Sequence, residues 1–125
     1  MTIKECYDRI GNYNDAISRL GSERLILKYL NKFQTDQSLD SLSVSLQEKD
    51  YQHAFVHIHN LKGLYLNLSM TKLEPEAAIL CDALRSYEPV HDPWPLFLSV
   101  RENHLMAVKV VNQLLESQSE SEGTQ

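Results

Sequence analysis

Cysteine, glycine, proline and net positive charge are all scarce in this 125-residue chain, and each scarcity removes a class of structure or partner. Two cysteines, Cys6 and Cys81, are too few for a disulfide-stapled scaffold and fit a reducing compartment. Four glycines and four prolines are too few for the many tight turns of a β-sandwich. With 12 Lys+Arg against 17 Asp+Glu the net charge is −5, which argues against sequence-independent binding to a nucleic-acid backbone. No apolar run approaches the roughly 20 residues of a membrane span, and the N-terminus lacks the order of a signal peptide. What is present is a hydrophobic fraction of 42%, enough to build one core at this length and to exclude wholesale disorder. The expectation is a cytoplasmic protein with neither a nucleic-acid nor a membrane partner.

Hydrophobic spacing along the chain is helical throughout, and no segment shows the alternation of a half-buried strand. Thr2–Ile10 reads as a short helix ending near Gly11, and Asn14 as the cap of a second carrying Ile17 and Leu20. Ser22 caps a third helix that presents Ile26, Leu30 and Phe33. A fourth lies within Asp36–Glu48, with Leu39, Leu42 and Leu46 in register. Asp50 opens a long helix to about Leu68 whose seam is Ala54, Ile58, Leu61, Tyr65 and Leu68, in steps of four and three. Thr71-Lys72-Leu73-Glu74 has the pattern of a capping box, opening a helix to about Tyr87. Glu88–Pro95 holds three prolines and reads as a loop. The last helix, Leu96–Glu116, is apolar on more than one face through Phe97, Val100, Leu105, Val108, Val111 and Leu114. The spacing therefore predicts an all-α fold: an antiparallel up-down four-helix bundle with additional short N-terminal helices, one domain over 1–116. Residues 117–125 are polar throughout and read as a disordered tail.

Candidate chemistry concentrates on the long helix, which carries three of the five histidines, His53, His57 and His59. At about 100° per residue, His59 falls roughly 140° from the centre of the apolar seam and points away from the presumed core. Its neighbours one turn away are Phe55, Val56, Lys62 and Gly63, with Leu66 a turn further along. A water-facing stripe is normally charged or amide-rich, and glycine inside a helix costs up to about 1 kcal/mol relative to alanine. An apolar patch around a titratable group, with a glycine where something must approach, fits a docking surface with chemistry at its centre. The bland reading is that another helix covers this face and makes Phe55, Val56 and Leu66 core.

His59-Asn60-Leu61-Lys62-Gly63 resembles the H-x-L-K-G signature of histidine-containing phosphotransfer (HPt) domains. The resemblance runs from about Tyr7 to Arg85: Arg19-Leu20-Gly21 upstream, a helix ending in Phe33, a Leu-rich helix and Asp50 ahead of the signature. Asn67-Leu68-Ser69 then stands where the family has Asn-Leu-Gly, and Leu73, Ala77 and Leu80 continue the pattern. Such domains are four-helix bundles that accept a phosphoryl group on the signature histidine and exchange it with an aspartate of a response-regulator receiver domain. They have no kinase activity. The resemblance implies His59 as phosphoacceptor, Lys62 as the cation on the phosphoryl oxygens, and Gly63 as room for the partner, with Phe55, Val56 and Leu66 around it. It implies a receiver domain or a hybrid sensor histidine kinase as partner. It also implies no intrinsic cofactor, the Mg²⁺ belonging to the receiver. Three positions depart: Ser69 replaces Gly at the turn, Ile58 stands where Ala is common, and Cys81 stands where many members have a Gln or Glu that supports the imidazole.

Rival readings lack their parts. No G-x-S-x-G, Walker loop or H-E-x-x-H occurs. His53 and His57 at i,i+4 would need further ligands, His91 or His104, to hold a metal, so no metal site is expected. His104 reads as a boundary residue, and Trp94 as a plug of the last loop. The remaining alternative is a non-phosphorylated interaction module using the same apolar face.

Overall fold

In the computed structural model, which describes residues 1–123 and side chains through Ser119, every regular element is an α-helix. The helices are α1 Ile3–Ile10, α2 Tyr13–Leu20, α3 Glu23–Gln34, α4 Ser38–Gln47, α5 Tyr51–Asn67, α6 Glu74–Leu84 and α7 Trp94–Gly123. The all-α class expected from spacing is therefore observed. No helix among the described residues is long and apolar enough to cross a membrane.

Local chemistry accounts for most starts. Thr2 and Glu5 close a reciprocal capping box on α1, and Ser22 accepts the Leu25 N–H at the head of α3. Asp50 accepts the His53 N–H and starts α5 where the sequence places it. Two caps differ from expectation. Asn12, not Asn14, caps α2 by accepting the Asp15 N–H at 2.9 Å. Thr71 caps nothing, because the Glu74 N–H it would bind is already donated to the Met70 carbonyl at 3.2 Å. The α5–α6 connection is a run of such turn bonds, and α6 begins at Glu74 with Pro75 harmless in its first turn.

The expected seams are buried: Ala54, Ile58, Leu61 and Tyr65 of α5 with Leu68 beyond it, and Ala77, Leu80 and Leu84 of α6 with Leu73 before it. α6 stops at Leu84, so Tyr87, read as the end of its seam, lies outside the helix and is exposed. α7 starts at Trp94, inside the stretch expected to be loop. It also continues through Gly123, so most of the segment expected as a disordered tail is helical; residues 124 and 125 lie outside the described residues. Its buried face is Phe97, Val100, His104, Ala107, Val111 and Leu114, while Leu105, read as apolar packing, is 53% exposed.

α5 packs most extensively on α4 and α6, and α7 packs against α1, α3, α4 and α6. The N-terminal helices fasten the α5–α6 turn. Tyr7 donates to the Leu68 carbonyl at 2.8 Å, Asn12 N–H to Ser69 O at 3.1 Å, and Lys72 N–H to Ile10 O at 3.2 Å. The backbones approach so closely that a Cβ on Gly11 would lie 1.9 Å from the Ser69 carbonyl oxygen, so only glycine fits there. Ser69 is the residue that closes the C-terminus of α5: its N–H donates to the Leu66 carbonyl at 3.1 Å and the Met70 N–H to the Tyr65 carbonyl at 2.8 Å. It sits at φ +55°, the left-handed region that favours glycine, and its buried hydroxyl donates to Asp15 at 2.6 Å. That bond, together with Arg19 at 2.9 Å, holds the Asp15 carboxyl below its ordinary range.

Candidate functional site

His59 stands exposed in the middle of α5, on the face opposite the buried seam. α5 is held from both ends. At its head Asp50 binds both the His53 backbone N–H at 3.2 Å and the His53 Nδ1 at 2.7 Å, which keeps the Asp50 carboxyl low. At its tail the α5–α6 turn is clamped as described. Between them lies a full run of intrahelical hydrogen bonds, so the outward faces of His59, Lys62 and Gly63 are set by helical geometry alone.

Lys62 lies one turn beyond His59, half-buried, and makes no ion pair among the described residues. It is close enough to α6 to act on two groups there. The Asp82 carboxyl is held low first by Arg85, which binds it at 2.8 Å, and additionally by Lys62. The Cys81 thiol is pushed up by burial, with Lys62 pulling the other way. A Cβ on Gly63 would meet nothing within 4 Å. Nothing in the fold itself therefore requires glycine at that helical position, and the space in front of it is open.

A shallow cleft of about 480 Å³ runs beside His59, Asn60, Gly63 and Asn67 and is closed on its far side by Asp36 and Ser38. It shares Asp36, Leu64 and Asn67 with a second cleft of about 570 Å³ that reaches Arg19, Tyr29 and Lys32. Val56 is 47% and Leu66 43% exposed, so no helix covers them, and the reading of these residues as core does not hold. Phe55 differs. It is half-buried, with the Tyr87 ring edge-on at 5.7 Å and the Arg85 guanidinium 5.8 Å from its centroid. The loop after α6 thus covers one side of the patch, which spacing had left fully open.

The remaining histidines separate. His53 is an exposed capping partner, His57 is half-buried in a hollow with Asp40 and Val44, and His91 is exposed. His104, expected at a boundary, is buried, bonded to the Tyr65 hydroxyl at 2.7 Å and packed on the Phe33 ring at 4.8 Å. No set of three or more His, Cys, Asp or Glu side chains is placed to hold a metal among the described residues. Cys81 is fully buried and makes no bond to His59; the ring facing His59 is Phe55, at 5.9 Å and tilted 41°. Sequence reasoning missed Asp36, Arg85 and Tyr87. The first is distant in sequence, and the other two follow a helix end that leucine spacing carried past its true stop.

Comparison with protein-family models, with characterised proteins and with solved structures gives no match for this chain.

Proposed function

We propose that this protein is a phosphorelay intermediate of the HPt kind, cytoplasmic, which accepts a phosphoryl group on His59 and exchanges it with an aspartate of a receiver domain. The observation that carries the reading is one helical turn: an exposed imidazole, a Lys62 in no ion pair among the described residues and open space at Gly63, flanked by exposed Val56 and Leu66. The neighbour relations support it as well. α4 touches α5, α5 touches α6, α6 touches α7 and α7 touches α4, which fits the closed ring expected of a four-helix bundle.

The chemistry follows from the residues. Imidazoles in general titrate near pH 6.5, so at neutral pH one ring nitrogen carries a free lone pair. That lone pair attacks phosphorus of the receiver's aspartyl phosphate. The N–P bond forms as the P–O bond to the aspartate breaks, the aspartate leaves as a carboxylate, and the proton on the other ring nitrogen is released to solvent. Lys62, at i+3, donates to the phosphoryl oxygens, and the charge-assisted bond holds the dianion. The transfer runs in either direction, because the chain supplies a carrier atom and no kinase machinery of its own.

The test is transfer from a panel of phosphorylated receiver domains, with the product examined for acid lability. His59→Gln should abolish the acid-labile phosphate and keep the helicity, while His53→Gln and His57→Gln should retain it. Receiver binding without any phosphate on the unsubstituted chain would instead favour a plain interaction module on the same face.

A further inference from the structure

We propose that Tyr87, acting through Phe55, is a positioning residue for the His59 imidazole. The catalytic consequence rests on the phosphotransfer reading above; the geometric part does not. Three rings stand in a row on the outer surface: His59 to Phe55 at 5.9 Å and 41°, then Phe55 to Tyr87 at 5.7 Å and 67°. Both separations and both tilts fall within the range in which aromatic pairs attract. The Arg85 guanidinium also lies over the Phe55 ring at 5.8 Å and is itself anchored to Asp82 at 2.8 Å. Phe55 is thus held by two residues of the turn that follows α6, Arg85 and Tyr87.

The backbone points to the same assignment. Tyr87 sits at φ +64°, a conformation that bulky side chains seldom adopt and that glycine would take without strain. Its N–H donates to the Leu84 carbonyl at 2.9 Å, so the turn itself asks only for a backbone and not for a phenol ring. The ring is not there for burial either, being 45% exposed. What it does touch is Phe55. A strained residue whose side chain contributes little to the core is the pattern expected where a side chain is needed for a site.

The need is visible beside it. Among the described residues His59 makes no side-chain hydrogen bond, and the α6 residue nearest in role, Cys81, is buried, which pushes its thiol pKa up. An imidazole on an open helix face samples several rotamers, and only some aim a ring nitrogen outward at a docked partner. A ring wall of Phe55, stiffened from behind by Tyr87 and Arg85, removes the rotamers that would fold His59 back along α5. Orientation of this kind is worth rate in a bimolecular transfer because the reacting atoms meet already aligned.

The experiment uses the full chain, ¹⁵N-labelled at histidine, with Tyr87→Gly, Tyr87→Phe and Phe55→Leu. The readouts are the His59 ring-nitrogen shifts, the cross-peaks between His59 and residue 55, the melting temperature, and the rate of phosphorylation by phosphoramidate. Tyr87→Gly should melt at or above the unsubstituted temperature, change the His59 ring-nitrogen shifts, and slow phosphorylation about tenfold. Tyr87→Phe should restore both, and Phe55→Leu should reproduce the loss without touching the strained turn. Unchanged ring signals and rates in Tyr87→Gly and Phe55→Leu would overturn the proposal. If the unsubstituted chain takes no phosphate from phosphoramidate or from receivers, the phosphotransfer reading fails instead, and the ring signals still decide whether Tyr87 positions His59.

Discussion

His59, on α5, and His104, on α7, meet opposite faces of α5, and the contrast between them separates the face that α5 gives to the core from the face it leaves open. His104 reaches α5 from α7 and is buried, bonded to the Tyr65 hydroxyl and packed on Phe33. Desolvation pushes its pKa down to about 4, with Asp36 and Asp40 pulling the other way. It is a neutral piece of the interior, with one ring nitrogen bonded to the Tyr65 hydroxyl. His59 is exposed, faces the tilted Phe55 ring, and has one turn away Lys62, which forms no ion pair among the described residues. The same side chain is thus locked as structure on one face and left available as chemistry on the other. What differs is access to water and partners, not residue type.

The comparison can be broken by placing matched changes on the two faces. Leu61→Ala, on the buried seam, should cost about 2–5 kcal/mol in a denaturant titration, through lost burial and a cavity. Leu66→Asp, on the open face, should leave that titration nearly unchanged while weakening receiver binding. Large destabilisation by Leu66→Asp would show that the outer face is core after all.

The next effect is a pH dependence carried by His104. Its folded-state pKa of about 4 lies below the ordinary 6.5, so between those values the unfolded chain binds more protons than the folded one. Stability is therefore complete above about pH 6.5 and falls as the pH drops through 4, by about 3 kcal/mol in all. Urea midpoints from pH 7 to 4, compared between the unsubstituted chain and His104→Phe, isolate this contribution from the carboxylates. Equal slopes for the two proteins would show that His104 is not held neutral by the fold.

Gly63→Arg probes the outer face alone. The melting temperature should hold or rise, since the site is open and glycine is a poor helix former, while transfer from a receiver is blocked. Lys62→Ala should slow transfer about fivefold, equivalent to about 1 kcal/mol for a half-exposed charge-assisted contact, with the fold intact. Rates unaffected at low salt would remove Lys62 from the site. The smallest effect belongs to the α5–α6 turn. Ser69→Gly relieves a left-handed residue but loses the hydroxyl bond to Asp15, and the two should nearly cancel, within about 1 kcal/mol. The same variant should raise the Asp15 carboxyl pKa, which its bond to Ser69 now depresses.

The sequence by itself determined the helices and their seams. Three-and-four spacing at Ala54, Ile58, Leu61 and Tyr65 has one solution that buries apolar surface, and local caps such as Ser22 and Asp50 act within four residues of where they are read. It also determined that His59, Lys62 and Gly63 share an outward face, since that follows from helical period alone. Spacing was weakest at helix ends. It carried α6 past Leu84 to Tyr87, because a hydrophobic residue three positions on looks the same whether or not the helix continues. It stopped α7 too early, because a polar helical turn leaves no apolar period to read. Only the tertiary structure decided the rest. The turn at Leu68–Leu73 overrode the capping pattern at Thr71 because its donors are used by other carbonyls. Tyr87 and Arg85 came to Phe55, Asp36 came to the cleft at His59, and His104 went inside, each through contacts between segments far apart in the chain. Such contacts depend on which helices become neighbours, and periodicity within one helix carries no information about the side chains its neighbours will bring.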